Sequence, residues 1–184
     1  MLTWMIRRRL AAFERTYGYD VSYLREMLAV DLGAFFRFAR VSGISSYRKD
    51  VPLDAYYAAK LTAAMSADCG PCTQLVVGLG LHDGLAPAAA AAIIAGDETA
   101  MSRGAVLAAR FARAVIARDP EADVWREQIE RQWGKRAVLS LGFALVAAQV
   151  YPTLKYALGH GHACTHVVIE GKAITPRMLA HGAA

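Results

Sequence analysis

Two cysteines, Cys69 and Cys72, lie between two runs of helix-forming residues, and this arrangement constrains the fold more than any other feature. The run 53–67 precedes the pair, and the apolar segment 75–81 follows it. Pro71 fits the first turn of the second helix, because amide groups in that turn have no intrahelical partner. We therefore expect an all-α chain in which the cysteine pair lies at the joint between two helices.

This joint is expected to activate the second cysteine, Cys72. Asp68 is an acceptable N-cap for the helix that begins here. Unpaired amide groups and the helix dipole favour an anion near a helix start. A thiolate is such an anion and is the nucleophilic form of cysteine. The sequence therefore predicts that the pKa of Cys72 is lowered and that its sulfur is a nucleophile.

Two other types of CxxC site fit the sequence less well. The Cys-Gly-Pro-Cys motif is also that of thioredoxin, but a thioredoxin pair follows a β-strand. Here the segment 55–65 contains a single β-branched residue, Thr62, and shows no strand-like alternation. A c-type haem site needs a histidine directly after the second cysteine, and Thr73 occupies that position.

Two further interpretations of the cysteines stay open. The pair could supply half of a structural zinc site, with the other half from a distant group: His160, His162, Cys164 and His166. Closed zinc sites normally contain two closely spaced ligand pairs, and the sequence has no second CxxC, so no metal is expected. Alternatively, both cysteines are small buried hydrophobic residues. Cys164 is expected to be a bystander thiol.

The composition is that of one helical domain that self-associates in a reducing compartment. With 184 residues, of which 55% are hydrophobic, the chain can bury one substantial core. A mean hydropathy of +0.25 indicates that a further apolar face is buried between subunits, so a homo-oligomer is expected. Three cysteines are too few for a disulfide framework, which favours a cytoplasmic location. No signal peptide is expected, because residues 1–10 contain only a short apolar patch.

Neither the charge nor the apolar segments predict binding to nucleic acid or stable insertion into a membrane. The net charge is +5, but the arginines are spread along amphipathic helices, apart from Arg7, Arg8 and Arg9. The segment 137–154 carries no charge and is about long enough to span a bilayer. It contains Pro152 near its end and no second span accompanies it, so we expect a buried helix.

Helical periodicity and turn residues predict an all-helical chain. The predicted helices are 3–16, 21–41 with an end at Ser42-Gly43, 53–67, the helix that carries Cys72, 87–95, 98–118, 121–133 and 136–158.

These helices are expected to form a single domain over the whole chain, 1–184. Residues 1–49 would be a helical extension, residues 50–160 the core, and residues 161–184 a tail. Around the start of the tail, 160–170 is expected to be an edge strand or an ordered segment, and 176–184 is expected to be mobile.

Three stretches of the chain, in this order, are similar to sequences of a known family. They are the CxxC stretch 67–72, the stretch 80–87 with Ile-Ile-Ala-Gly-Asp at 93–97, and the stretch 112–120 with the apolar helix ending in Leu158-Gly159. Over residues 50–160 the chain resembles the AhpD-like alkylhydroperoxidases and the related carboxymuconolactone decarboxylases.

The resemblance implies an all-helical, oligomeric bundle with a redox role for the cysteine pair and no cofactor. In that role Cys72 attacks a peroxide and becomes a sulfenic acid, while Cys69 supplies a proton and then closes a disulfide. Two sulfurs at this spacing can pair without unfolding the helix start. The resemblance further implies that a dithiol protein, lipoylated or thioredoxin-like, reduces the disulfide back to two thiols.

Two positions depart from the family pattern. The family's proton relay uses a glutamate and a histidine, and the matching positions here are Tyr57 and Val76. Neither side chain is a base near neutral pH, so peroxidase turnover is expected to be weaker than simple thiol–disulfide chemistry. Besides Tyr57, the candidates for an auxiliary role are Asp54, Lys60, Asp68 and His82.

Three functions are consistent with these features. The leading hypothesis is an AhpD-like thiol oxidoreductase that reduces peroxides or partner disulfides through Cys72 and Cys69. The second is a decarboxylase-like enzyme that acts on a small organic acid or lactone. The third is a helical oligomer that retains the fold without catalysis. Its strongest support is the absence of the two relay residues.

Overall fold

A computed structural model describes residues 1–162 and 167–177 of the chain. The described residues form ten helices and one short hairpin, which confirms the all-α prediction. In chain order the elements are α1 (Leu2–Tyr17), α2 (Ser22–Val30), α3 (Leu32–Ala39), α4 (Val41–Ser45), α5 (Leu53–Ser66), α6 (Gly70–His82), α7 (Pro87–Ala95), α8 (Arg103–Ala117), α9 (Glu121–Trp133), α10 (Lys135–Ala157), β1 (Val167–Ile169) and β2 (Lys172–Ile174).

Helix α5 lies at the centre of the fold and is buried at every position from 55 to 65. It packs chiefly against α8 and α10, and it also contacts α6 and α7. Alanines along α5 and α8 let these helices approach closely, so that larger side chains such as Leu61 and Phe111 fill the remaining core volume. This main core anchors the helix α6 that carries Cys72.

A second, smaller apolar cluster lies where the N-terminal helices meet the start of α6. Partly buried side chains from α1, α2, α3, α6 and α10 surround it. Its buried members are Tyr19, Val21, Tyr23, Cys69 and Cys72. The cysteines therefore lie beneath the N-terminal helices and separate from the main core.

The prediction of one continuous helix over 21–41 is wrong. The backbone is extended at Asp31, which ends α2 and caps α3 by accepting a hydrogen bond from the amide of Gly33 at 2.6 Å. The apolar periodicity continues across this break, so it did not reveal the separate helices. Ser42 and Gly43, the predicted helix end, lie inside the short helix α4.

The remaining helix boundaries agree with the sequence except at the start of α8. The bounds of α7 and α9 are as predicted. Helix α8 begins at Arg103 rather than Glu98, because the Ser102 side chain accepts a hydrogen bond from the amide of Ala105 and caps the helix. Glu98 instead forms ion pairs with Arg110 and Arg113 on α8.

The C-terminal segment forms a hairpin that packs on α6 and α7. Strands β1 and β2 are antiparallel, with Val167 opposite Ile174. The Gln74 side chain of α6 binds both the amide and the carbonyl of Val168. Of the tail predicted to be mobile, Pro176 is buried, the amide of Arg177 donates to Ile94, and the remainder lies outside the described residues.

Within the described chain, α10 is the one helix long and apolar enough to cross a membrane by length and composition. Its most apolar window has a mean hydropathy of 1.6, and 44% of that window is buried inside the protein. Pro152 lies within the helix and is buried. The buried face of α10 packs on α5, α4 and α9.

Candidate functional site

The backbone between α5 and α6 turns sharply and places both cysteines at the start of α6. Asp68 adopts a left-handed conformation with φ of 48°, which aspartate tolerates better than most residues. Cys69 then occupies the N-cap position in an extended conformation, so the prediction that Asp68 caps α6 is wrong. Pro71 and Cys72 fall in the first turn, as predicted.

Cys69 and Cys72 form a disulfide. Their Cα atoms are 5.3 Å apart, which lies within the range that a disulfide requires. Cys69 is fully buried and Cys72 is 4% exposed. The two sulfurs are therefore close enough to pair, and the pair is shielded from solvent.

The first turn of α6 has fewer unpaired amides than the sequence predicted. The amide of Gly70 donates to the carbonyl of His162 at 3.1 Å, and Pro71 has no amide hydrogen. The amide and the hydroxyl of Thr73 both donate to the carbonyl of Cys69. The carbonyl of His162 thus takes one of the donors expected to stabilise a thiolate.

Two tyrosines extend the site away from the cysteines. The Tyr19 hydroxyl lies 3.7 Å from Cys72 Sγ, and the hydroxyls of Tyr19 and Tyr23 are hydrogen-bonded at 3.4 Å. Burial raises the pKa of Tyr19 to about 12 and raises the pKa of Tyr23 as well. Both phenols therefore keep their protons at neutral pH. Tyr19 can donate a hydrogen bond to Cys72 but cannot act as a base there.

A buried lysine completes this group. Lys155, in the last turn of α10, is fully buried, and Nζ lies 4.7 Å from the ring centre of Tyr19 and 5.5 Å from that of Tyr23. Burial lowers the pKa of Lys155, and the nearby carboxylate of Asp20 acts in the opposite direction. We refer to the set Cys69, Cys72, Tyr19, Tyr23 and Lys155 as the disulfide cluster.

Tyr57, a predicted auxiliary residue, lies at the other end of α6 from the cysteine pair. Its hydroxyl donates to Asp83 Oδ2 at 2.5 Å, and its ring contacts α6 at Gly80. Gly80 lies about 12 Å along the helix axis from Cys72, at 1.5 Å per residue. Val76, at the other relay position, packs in the main core.

Lys60, another predicted auxiliary residue, is also engaged in the main core. Its Nζ donates to the carbonyl of Ser45 at 2.8 Å and lies over the rings of Tyr56 and Tyr57. Burial lowers the pKa of Lys60 to about 8, while Asp83 acts to raise it. We refer to Tyr56, Tyr57, Lys60 and Asp83 as the α5 cluster.

The other predicted auxiliary residues are spread over the fold. Asp54 accepts a hydrogen bond from the Ser102 hydroxyl at 2.5 Å and joins the starts of α5 and α8. His82 is exposed at the opposite end of α6 from Cys72, 3.6 Å from Asp83. Asp68 adjoins Cys69, and its carbonyl accepts a hydrogen bond from the Tyr156 hydroxyl.

The histidine-rich stretch after α10 falls partly outside the described residues. His160 Nε2 lies 2.7 Å from Glu26 Oε2, and the carbonyl of His162 binds the start of α6. Cys164 and His166, the other two candidate zinc ligands, lie outside the described residues. Among residues 1–162 and 167–177, no group of three or more His, Cys, Asp or Glu side chains could hold a metal ion.

Sequence reasoning did not identify Tyr19, Tyr23 or Lys155 as members of the site. Tyr19 lies between the first two predicted helices, and Lys155 directly follows the uncharged segment 137–154. The sequence carried one usable signal, since a lone lysine inside a long apolar helix needs a partner or a function.

Comparison with known proteins does not add an identification. No family model matches the chain, and neither a curated protein nor a solved structure matches it. The resemblance to the AhpD-like family therefore stays a prediction that rests on the residues themselves.

Proposed function

We propose that this chain is a thiol-dependent oxidoreductase of AhpD-like type, which exchanges disulfides through Cys69 and Cys72. One observation carries the proposal: the two cysteines are paired at the start of α6, and their Cα atoms are 5.3 Å apart, a separation that a disulfide spans. The resemblance to the AhpD-like family supports the same assignment. In its terms Cys72 is the attacking sulfur and Cys69 is the resolving sulfur.

The proposed reaction transfers two electrons and two protons from a dithiol partner. A partner thiolate attacks one sulfur of the disulfide, and the bond between Cys69 and Cys72 breaks as a mixed disulfide forms. The second partner thiol displaces the chain, so the partner leaves oxidised and the chain becomes a dithiol. In the reverse direction, the Cys72 thiolate attacks a partner disulfide or a peroxide oxygen, and Cys69 then closes the pair. With a peroxide, the products are an alcohol and water.

The surroundings of Cys72 favour exchange with a protein dithiol over rapid peroxide turnover. Among the described residues, Tyr19 is the one side chain that places a polar atom within hydrogen-bonding distance of Cys72 Sγ. Because the pKa of Tyr19 is about 12, its phenol cannot remove a thiol proton near neutral pH. A lipoylated or thioredoxin-like partner supplies its own thiolate and needs no such base.

Access to the buried disulfide requires movement of the N-terminal helices. Helix α1 contains no buried residue and touches the site only through partly buried side chains such as Leu10 and Phe13. A segment with few buried contacts opens at low free-energy cost. We propose that α1 moves away when a partner binds.

We also propose that the protein is a homo-oligomer that works in the reducing cytoplasm. Leu139, Phe143 and Val146 lie on one face of α10 at helical spacing and are all exposed. We refer to these three residues as the α10 stripe. Light scattering after gel filtration tests the proposal: Val146→Glu should lower the mass, whereas Val124→Glu, at an equally exposed valine of α9, should not. A monomeric wild type would contradict it.

The redox proposal is tested by thiol trapping and intact mass. In a Cys164→Ser background, dithiothreitol should expose two alkylatable thiols, and a partner disulfide or mild peroxide should remove both. Cys69→Ala should leave a mixed disulfide or sulfenic acid on Cys72, whereas Cys72→Ala should abolish the reaction. A pair that stays oxidised or inert under native conditions would leave the non-catalytic helical oligomer as the better explanation.

A further inference from the structure

Lys155 is the residue of the site that the proposed exchange reaction leaves unused. It is fully buried, and Nζ is the one buried side-chain nitrogen or oxygen among the described residues without a hydrogen-bond partner. A buried amine without a partner destabilises a fold, so such a group needs a specific explanation.

Lys155 is connected to Cys72 through Tyr19. Nζ lies over the face of the Tyr19 ring, where the electron-rich surface attracts a cation. The hydroxyl of the same ring lies 3.7 Å from Cys72 Sγ. Tyr19 thus separates the amine from the sulfur and touches both of them.

The other ionisable groups around Lys155 do not neutralise it locally. Asp20, whose charge acts on Lys155, is exposed, and its carboxylate binds the amide and hydroxyl of Ser22. His160, whose Nε2 lies 2.7 Å from Glu26 Oε2, is also near Asp20. Tyr23 and Tyr151 are neutral, because burial raises the pKa of both phenols. When the disulfide is intact, the site contains no buried anion among the described residues.

We propose that Lys155 is a positioning residue that stabilises Cys72 as a thiolate once the disulfide is reduced, acting through Tyr19. This inference rests on the proposed function. Reduction breaks the sulfur–sulfur bond with two electrons and two protons from the dithiol. One proton stays on Cys69, and the second is held by Lys155 Nζ. Cys72 keeps the negative charge and accepts a hydrogen bond from the Tyr19 hydroxyl, which in turn can accept from Tyr23.

The proposal explains why a lysine is buried where residues 1–162 and 167–177 place no buried anion beside it in the oxidised protein. The counter-ion appears only on reduction, so charge on Lys155 and the redox state of the pair are coupled. A cation that stabilises the thiolate lowers the pKa of Cys72 and makes the disulfide easier to reduce. Burial disfavours the charged amine and so lowers the pKa of Lys155, and a thiolate that forms beside it acts in the opposite direction.

The test compares two buried lysines. In the Cys164→Ser background, reduced wild type, Lys155→Met and Lys60→Met are titrated, and thiolate is followed by its ultraviolet absorbance. Lys155→Met should lower the thiolate fraction of Cys72 about tenfold at a given pH, which is one pKa unit. Lys60→Met, which removes the other buried lysine, that of the α5 cluster, should leave the titration unchanged. Tyr19→Phe should shift the titration in the same direction as Lys155→Met.

A second readout measures the equilibrium with dithiothreitol. A tenfold loss of the thiolate form corresponds to a reduction potential lower by about 30 mV for Lys155→Met. Lys155→Arg, which keeps a cation, should restore both the potential and the titration toward wild type. If Lys155→Met fails to fold by circular dichroism, Lys155→Gln carries the same test, because it removes the charge and keeps a polar side chain.

The failures of the two proposals are distinguishable. If the Cys72 titration is the same in wild type and Lys155→Met, the role of Lys155 is overturned even when the pair is redox-active and Tyr19→Phe shifts the titration. An equal shift in Lys60→Met would also overturn it, because the effect would then be general to buried lysines. If no partner disulfide or dithiol reacts with wild type, the proposed function fails, whatever the titration shows.

Discussion

The disulfide cluster and the α5 cluster contain similar side chains in opposite electrostatic situations. In each, a buried lysine lies over two tyrosine rings: Lys60 over Tyr56 and Tyr57, and Lys155 over Tyr19 and Tyr23. Lys60 has a carbonyl partner, whereas Lys155 has none among the described residues.

The phenols differ in the same way. Tyr57 donates to a carboxylate, Asp83, so its hydrogen bond is complete in the folded protein. Tyr19 instead faces a disulfide sulfur, which is a weak acceptor until it becomes a thiolate. A phenol bound to a carboxylate stabilises the fold, while one bound to another neutral hydroxyl beside a redox pair can respond to a change in that pair.

The largest effect is expected from the titration of Lys60. Its pKa is about 8 in the folded protein against 10.5 in the unfolded chain. Between these pH values the unfolded chain binds more protons, so the free energy of unfolding should rise with pH by about 3 kcal/mol. This gain should disappear below about pH 8, where the buried lysine is charged in both states.

The measurement is urea unfolding across this pH range for wild type and Lys60→Met. The difference between the two proteins isolates the lysine, because the other groups titrate in both. A difference that does not change with pH would show that Lys60 keeps its ordinary pKa, and its contrast with Lys155 would have to rest on hydrogen bonding alone.

A smaller effect is expected when the cover of the disulfide cluster is weakened. Phe13, on α1, packs on Tyr17 and Tyr19, and its ring centre is 4.8 Å from that of Tyr17. Phe13→Ala should loosen α1 and speed reduction of the disulfide by dithiothreitol about tenfold, which corresponds to roughly 1.4 kcal/mol of lost packing.

Phe36→Ala provides the matched control, since Phe36 is 43% exposed on α3 and lies outside the disulfide cluster. Its reduction rate should equal that of wild type. If both variants reduce at the wild-type rate, the N-terminal helices do not control access to the pair.

Residues that interrupt the chain locally were the most predictable part of the fold. Pro87 and Gly96 bracket α7, and Gly134 ends α9, because proline and glycine act on the backbone next to them. Asp31 interrupts a continuous apolar pattern, and its capping bond to the amide of Gly33 could not be recognised from periodicity.

The candidate site shows the same limit. The CxxC pair and its place in the first turn of α6 were predictable, because both depend on residues within a few positions of one another. The contact between Tyr19 and Cys72 spans 53 positions of sequence, and Lys155 comes from the far end of the chain. Their meeting depends on how α2 and α10 pack on α6, which local patterns do not encode.

The smallest effect on stability is expected from Tyr57→Phe, and its comparison with Tyr19→Phe tests whether the two clusters act independently. Tyr57→Phe removes the hydrogen bond to Asp83 and should cost about 1 kcal/mol, because the half-exposed carboxylate can bind water instead. The thiolate titration of Cys72 should not change, since Tyr57 lies two turns of α6 away. Tyr19→Phe should show the reverse pattern, a change at Cys72 with little change in unfolding free energy. A shift of the Cys72 titration in Tyr57→Phe would instead connect the two clusters and restore the auxiliary role that the family resemblance gives to this position.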